Sequence, residues 1–395
     1  MNPSSSGWFK KMLSEQHKFL DLPQKESQLY TDLRDVGFIY GTNILPVSKF
    51  KNQHFNLTSS ELAKVNLAQA LIKTYRYQND QPVVFCVDSL LAYYQLLKKE
   101  NKFKFSLKLQ QNPADRKLEN ILHQRVKTDV NLLQKQFSHV ITNVLLYIDV
   151  LGYKRFLNKD EAICDFLTSY ENFIINLIYL NLQQKSISKK AKKIITQMFI
   201  SSLRYNNLLP DDCVELDELD VSFIHKDTEK LYAFDCFLLA TYMEKDISHA
   251  EDLLIRLIGE KLNLSPTDMD DAKNRLQSFI TQNKDQIKFY RTSNPIKNFY
   301  SNTSKRVSLL IYRNKNRLVR EIKANRELYK LLTLSMYREL DQQEKIQVNQ
   351  QLKDVLKTIP SLAIFALPGG GVLLPLIVQL IPKLLPHSFD ENRES

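Results

Sequence analysis

"IPSLAIFALPGGGVLLPLIVQLIPKLLP", residues 359–386, is the stretch on which the reading of this chain turns. No charged residue occurs from Thr358 to Pro382, yet five prolines and three consecutive glycines interrupt it. As one helix those uncharged positions reach ~37 Å at ~1.5 Å per residue, enough for a hydrocarbon core of ~30 Å. A soluble core helix rarely stays apolar all round for so long, and rarely holds interior prolines such as Pro368 and Pro375. Membrane helices tolerate such kinks because neighbouring groups satisfy the freed carbonyls. Pro360, Pro368, Pro375 and Pro382 recur every seven or eight residues and so lie near one face. Gln379 is the polar residue within the segment, and Lys383 at its end is placed to snorkel to an interface. The expectation is a Pro-kinked transmembrane helix. A re-entrant or interfacial hairpin folded at Gly369, Gly370 and Gly371 stays open, as does burial in a soluble core.

Upstream lies the charge. Residues 284–330 hold 13 Lys/Arg against 3 Asp/Glu, a net +10, whereas the whole chain carries +11. Any anionic partner that this charge serves meets the chain there. Within 307–340, Val307, Ile311, Leu318, Ile322, Tyr329, Met336 and Leu340 share one narrow helical face. Arg313, Arg317, Arg320, Lys323 and Lys330 occupy the opposite arc. With Arg306 just before them, these residues are the candidate contacts to anionic lipid or to RNA. The same pattern also suits a helix packed on a core with a solvated charged face. Asp341 and Glu344 then form a capping-box spacing, opening a helix that runs to Thr358. Basic residues before the apolar segment and an acidic tail, "HSFDENRES", place the large domain on the cytoplasmic side.

The remaining chain reads as all-α. Only 8 glycines in 395 residues leave few tight hairpin turns. Residues 1–58 look irregular, with "DVGFIYGTNILPV" as an extended piece or a short buried helix. A helical domain follows over 59–185, opened by Thr58 and Glu61, with further starts at Pro82 and Pro113. A compact helical unit spans 186–283, where Ser248 with Glu251 and Ser265 with Pro266 mark helix starts. Residues 284–358 are the basic amphipathic helices, 359–386 the apolar segment and 387–395 a tail.

Several function classes find no support. Phosphate-binding glycine loops, zinc-protease helices and serine-nucleophile elbows are absent from the sequence. Four cysteines stand apart with no CxxC pair, which fits a reducing compartment. "DDCVELDELD", residues 211–220, has six acids but lacks the central glycine of a calcium loop, so it reads as a solvated acidic loop. No catalytic residue, cofactor site, metal site or small-molecule substrate is nominated, and a non-enzymatic protein is expected.

Two resemblances add to this. The apolar segment resembles the membrane segment of the LETM family, the leucine-zipper EF-hand transmembrane proteins. The shared pattern falls on Pro360, Pro368, Pro375, Pro382, Pro386, Ser388, Phe389 and Asp390. "LDQQEKIQVNQQLKDVLKTIP" resembles the polar helix that precedes that segment. A bacterial group, the LETM-related biofilm-associated proteins, is similar over a longer span that includes "GFIYG". This implies a helical protein at the bacterial inner membrane with a role in membrane or ion homeostasis or biofilm-related envelope physiology. Two departures qualify it. Gly371 stands where the family carries an acid tied to cation/proton exchange, and the family's ribosome-binding domain follows the segment where this chain ends. Residues 186–283 weakly resemble TerB-like helical domains, in which acids near the turn can bind metal; Glu244 and Asp246 stand at that turn here, with solvated turn carboxylates as the competing and favoured reading. The competing reading is a soluble, cytoplasmic helical module that binds ribosomes or RNA through 284–330. A third is a subunit of a cation/proton exchanger, which requires a homo-oligomer because one span cannot enclose a pathway.

Overall fold

The computed structural model describes residues 3–20, 25–49, 57–79, 81–99, 113–126, 140, 142–185, 189, 192, 195–196, 213–242, 247–285, 287, 307–309, 311–359, 362 and 374–381. Among them there is no strand, in keeping with the all-α expectation. The chain divides into two compact units. Unit 1 comprises 1–128, 136–186 and 202–295; unit 2 comprises 129–135, 187–201 and 296–395.

Unit 1 contains α1 (Trp8–Leu20), α2 (Glu26–Asp35), α3 (Ser59–Gln78), α4 (Cys86–Lys99), α5 (Ala114–Val126), α6 (Leu146–Leu157), α7 (Ile163–Gln184), α8 (Asp227–Thr241), α9 (His249–Lys261) and α10 (Pro266–Asn283). The principal packing runs α5–α3–α6–α7–α8–α10. Residues 62–75 of α3 and 232–241 of α8 are buried on every side. That is why neither helix has a clear polar face: each is enclosed by neighbours rather than laid on a surface.

Local capping chemistry sets several starts. Thr58 accepts the Glu61 N–H and Ser248 the Glu251 N–H, each reciprocated by the glutamate. Ser265 caps α10 with Pro266 in its first turn. Pro82 opens a 3-10 turn, Val83–Phe85, that leads into α4. The helical run expected from Pro113 is described in two pieces, α5 and α6, with 127–139 outside the described residues.

The irregular reading of 1–58 is corrected: α1 and α2 lie there. The start of α1 is capped from far away, since Glu119 accepts the Gly7 and Phe9 N–H groups at 3.0 and 2.9 Å. "DVGFIYGTNILPV" is neither a strand nor a helix but a buried turn. Gly37 and Gly41 take φ of +78° and +66°, and Thr42 donates back to the Gly37 carbonyl at 3.0 Å. A Cβ on Gly37 would stand 2.1 Å from the Thr42 carbonyl oxygen, so glycine is required there. Asn66 and Gln69 of α3 secure the next residues, accepting the Val47 and Ser48 N–H groups at 2.9 Å each.

Candidate functional site

The residues singled out for partner contact fall in unit 2, where α11 (Lys315–Ala324), α12 (Arg326–Leu334), α13 (Gln342–Lys357) and α14 (Leu374–Leu380) are described. The single helix expected over 307–340 is broken. α11 ends at Asn325, whose side chain accepts the Leu328 N–H at 3.1 Å and so starts α12. An Asn inside a helical pattern offers its own side chain to the backbone, which favours a new N-cap over continuation. α13 begins at Asp341, with the Glu344 carboxylate closing the capping box.

The apolar face lies inward. Val307, Ile311, Leu318 and Ile322 are each fully buried and meet Leu328, Leu332, Val348 and Leu352 in one cluster. Tyr329, expected on the same face, is only partly buried. The same cluster contains Ile359, Leu362, Leu374, Ile377 and Ile381 of the apolar segment, all at 3% exposure or less. The described part of that segment therefore packs on its own protein. No helix among the described residues is long and apolar enough to cross a membrane. Pro375 sits in the first turn of α14 and Gln379 near its end. Pro360, Pro368, Gly369, Gly370, Gly371, Pro382, Lys383, Pro386 and Arg306 lie outside the described residues.

The basic arc lies outward. Arg313, Arg317, Arg320, Lys323 and Lys330 are all exposed, and Lys315 and Arg326 join them. Among the described residues none of these seven forms an ion pair within 4 Å. Arg317 alone is held: it donates to the Thr358 carbonyl at 2.7 Å, tying the arc to the end of α13. Tyr312 stands beside Arg313 at 59% exposure. Two of the nearby acids, Glu327 and Glu344, are engaged elsewhere. Glu327 accepts from Gln351 at 2.7 Å and from Gln347, joining α12 to α13. Glu344 accepts from Arg338 at 2.6 and 2.7 Å and from the Asp341 N–H at 2.9 Å. The Arg338 hydrogen bond, then that of the Asp341 backbone, holds the Glu344 carboxyl down at about 2. Among the described residues this leaves a row of exposed cations without ion pairs on a folded support, suited to a polyanion. On one continuous wheel at 100° per residue Lys315 and Arg326 fall beside the apolar face; they join the exposed cations because the helix is interrupted at Asn314 and again at Asn325.

The other candidates resolve simply. Glu244 and Asp246 lie outside the described residues, and no group of metal-binding side chains occurs among those described. In the acidic run, Glu215, Asp217, Glu218 and Asp220 are exposed, as a solvated loop requires. Its Leu216 and Asp217 carbonyls accept from Lys261 of α9 at 2.6 and 3.3 Å.

Residues 340–395 match the family model described as LETM1-like, RBD. The LETM1-like region thus takes in all of α13, the whole apolar segment and the tail. No curated protein and no solved structure matches the chain. The match supports the LETM resemblance for the C-terminal region. It also brings the description RBD onto residues 340–395 themselves, whereas the sequence resemblance placed that domain beyond the end of the chain.

Proposed function

We propose that unit 2 is a LETM1-like docking module that engages RNA of the ribosome through Arg313, Arg317, Arg320, Lys323, Lys330 and the adjoining Lys315 and Arg326. The observation that carries this reading is the placement of the two faces. An amphipathic helix that inserts into lipid lends its apolar face to the acyl boundary. Here Leu318 and Ile322 are already fully buried. Charge is what the helix has left to offer, and phosphate contact by Arg and Lys needs only that. The RBD description of the family match, together with the ribosome-binding domain that the LETM resemblance implies, favours the ribosome.

A second reading keeps the protein at the inner membrane, large domain inward, with anionic lipid under the basic face and a role in membrane or ion homeostasis or envelope physiology. It is supported by the LETM1-like match and by the uncharged run that continues through 363–373, outside the described residues. Residues at a membrane surface gain roughly 1 kcal/mol per Lys or Arg from anionic headgroups. An exchanger role has less support, because Gly371 supplies no ionisable group at depth.

Co-sedimentation separates the readings. The full chain and a variant with Arg313, Arg317, Arg320 and Lys323 all changed to Glu are spun with ribosomes and, separately, with phosphatidylserine-containing vesicles. The proposal expects the wild-type chain to pellet with ribosomes and the variant to stay in the supernatant. Pelleting with vesicles alone, lost in the variant, establishes the second reading instead.

A further inference from the structure

Unit 1 holds a cleft that none of the above uses. It has a volume of about 580 Å³ and lies between α10 and the turn that follows α2. That size falls within the ~300–1,000 Å³ typical of small-molecule sites. The "GFIYG" turn, held by its two positive-φ glycines, makes one wall, with the Tyr40 ring 5.1 Å from that of Phe279. α10 makes the other. Its Asp271, Asn274, Ser278 and Gln282 recur at spacings of three and four, a polar and exposed stripe along one face.

Charges of both signs meet in this cleft. Arg34 lines it with its side chain only 4% exposed. Its Nε donates to the fully buried Asp235 at 2.7 Å, and its guanidinium lies 4.8 Å from the Tyr30 ring centre. Its Nη2 is buried and has no hydrogen-bond partner among the described residues. The guanidinium is thus held in place at the cleft wall, with Nη1 on the side of Asp271, which is how a binding group is preorganised. Arg275 also lines the cleft and holds Asp271 at 2.7 Å. Two further pairs are looser: Arg34 to Asp271 at 3.5 Å and Arg275 to Asp35 at 3.7 Å. Asp35 and Asp271 would repel a purely anionic ligand, and the two arginines a purely cationic one.

We propose that this cleft binds a small zwitterion of the amino-acid or short-peptide class, its carboxylate on Arg34 and Arg275 and its ammonium on Asp35 and Asp271. The side-chain amides of Asn274 and Gln282 then serve peptide N–H and C=O groups, and Tyr40 flanks the apolar part. This reading is independent of the partner of unit 2.

Isothermal titration of the full chain tests it, using the free amino acids Ala, Leu, Lys and Glu and the peptides dialanine and trialanine as probes. Each is run beside its N-acetyl and C-amide derivatives. At least one free zwitterion is expected to bind, and blocking either terminus is expected to weaken it by about tenfold or more, the loss of one charge-assisted hydrogen bond. Arg275→Ala should weaken the same probe, and Ser278→Trp, which fills the cleft from an exposed position, should abolish binding. Both variants must keep the wild-type circular dichroism and unfolding midpoint; Asp35→Asn provides a third, exposed alternative if either does not. Absence of binding by every probe, or equal binding of blocked and free forms, overturns the proposal.

Discussion

At the scale of single residues, unit 2 shows how one carboxylate is reserved for structure while the cations around it stay available. Glu344 is engaged by Arg338 and by the Asp341 backbone, so it does not neutralise the exposed arginines of α11. Its carboxyl is held near 2, below its ordinary 4.5, chiefly by the hydrogen bond from Arg338. A depressed carboxyl contributes stability that is present above its unfolded value and lost as pH falls through its folded one. Between about pH 4.5 and 2 this contribution should therefore fade. Carboxyl carbon shifts of Glu344, followed by NMR across that range, should titrate near 2 in the wild-type chain. In Arg338→Ala they should move back toward 4.5, and an unmoved midpoint would show that the ion pair does not set it. The caps around this residue were legible in the sequence because Asp341 and Glu344 are three positions apart. The Arg34 site was not legible, because its guanidinium meets Asp235 and Asp271, some two hundred positions away, and only packing brings them together.

At the scale of elements, the same contrast explains which helices could be read. α3, α9, α10 and α13 announce themselves by cap residues within one turn of their starts. α1 does not, since its cap is Glu119 on α5. The basic helix was legible in composition and in which residues face outward. Its break at Asn325 was not, because a helix wheel assumes continuity. The apolar segment carries the largest consequence. Its length and lack of charge pointed to a membrane span, yet Ile359, Leu362, Leu374, Ile377 and Ile381 are buried against α11–α13. Hydropathy reports that a side chain avoids water; it does not say whether lipid or protein takes its place. Each such side chain contributes roughly 1.5–3 kcal/mol when buried. A chain ending at Lys357 should accordingly lose much of the amide hydrogen-exchange protection in α11, α12 and α13, while α3 and α8 in unit 1 keep theirs. Unchanged protection in α11–α13 would mean that the segment adds nothing to this core and serves elsewhere.

At the scale of the whole molecule, two units carry separate assignments. Unit 1 is a helical body with a mixed-charge cleft, and unit 2 is a small helical module that ends in a LETM1-like region. Residues 296–330 of unit 2 hold ten Lys/Arg against two Asp/Glu, a net +8 in a chain of +11, so long-range attraction to a polyanion concentrates there. Where exposed side chains of α11 and α12 contact phosphates, the salt dependence of binding counts those contacts. Each phosphate neutralised on a double helix steepens the fall of log affinity with log salt by about 0.9, and on a single strand by about 0.7. The decisive measurement is the affinity of the full chain for ribosomal RNA across a series of salt concentrations, repeated for Arg313→Ala, Arg320→Ala and Lys323→Ala. A steep slope is expected for the wild-type chain, with a reduction of about one for each substitution. A flat salt dependence, or slopes that the three substitutions leave unchanged, would contradict such contact.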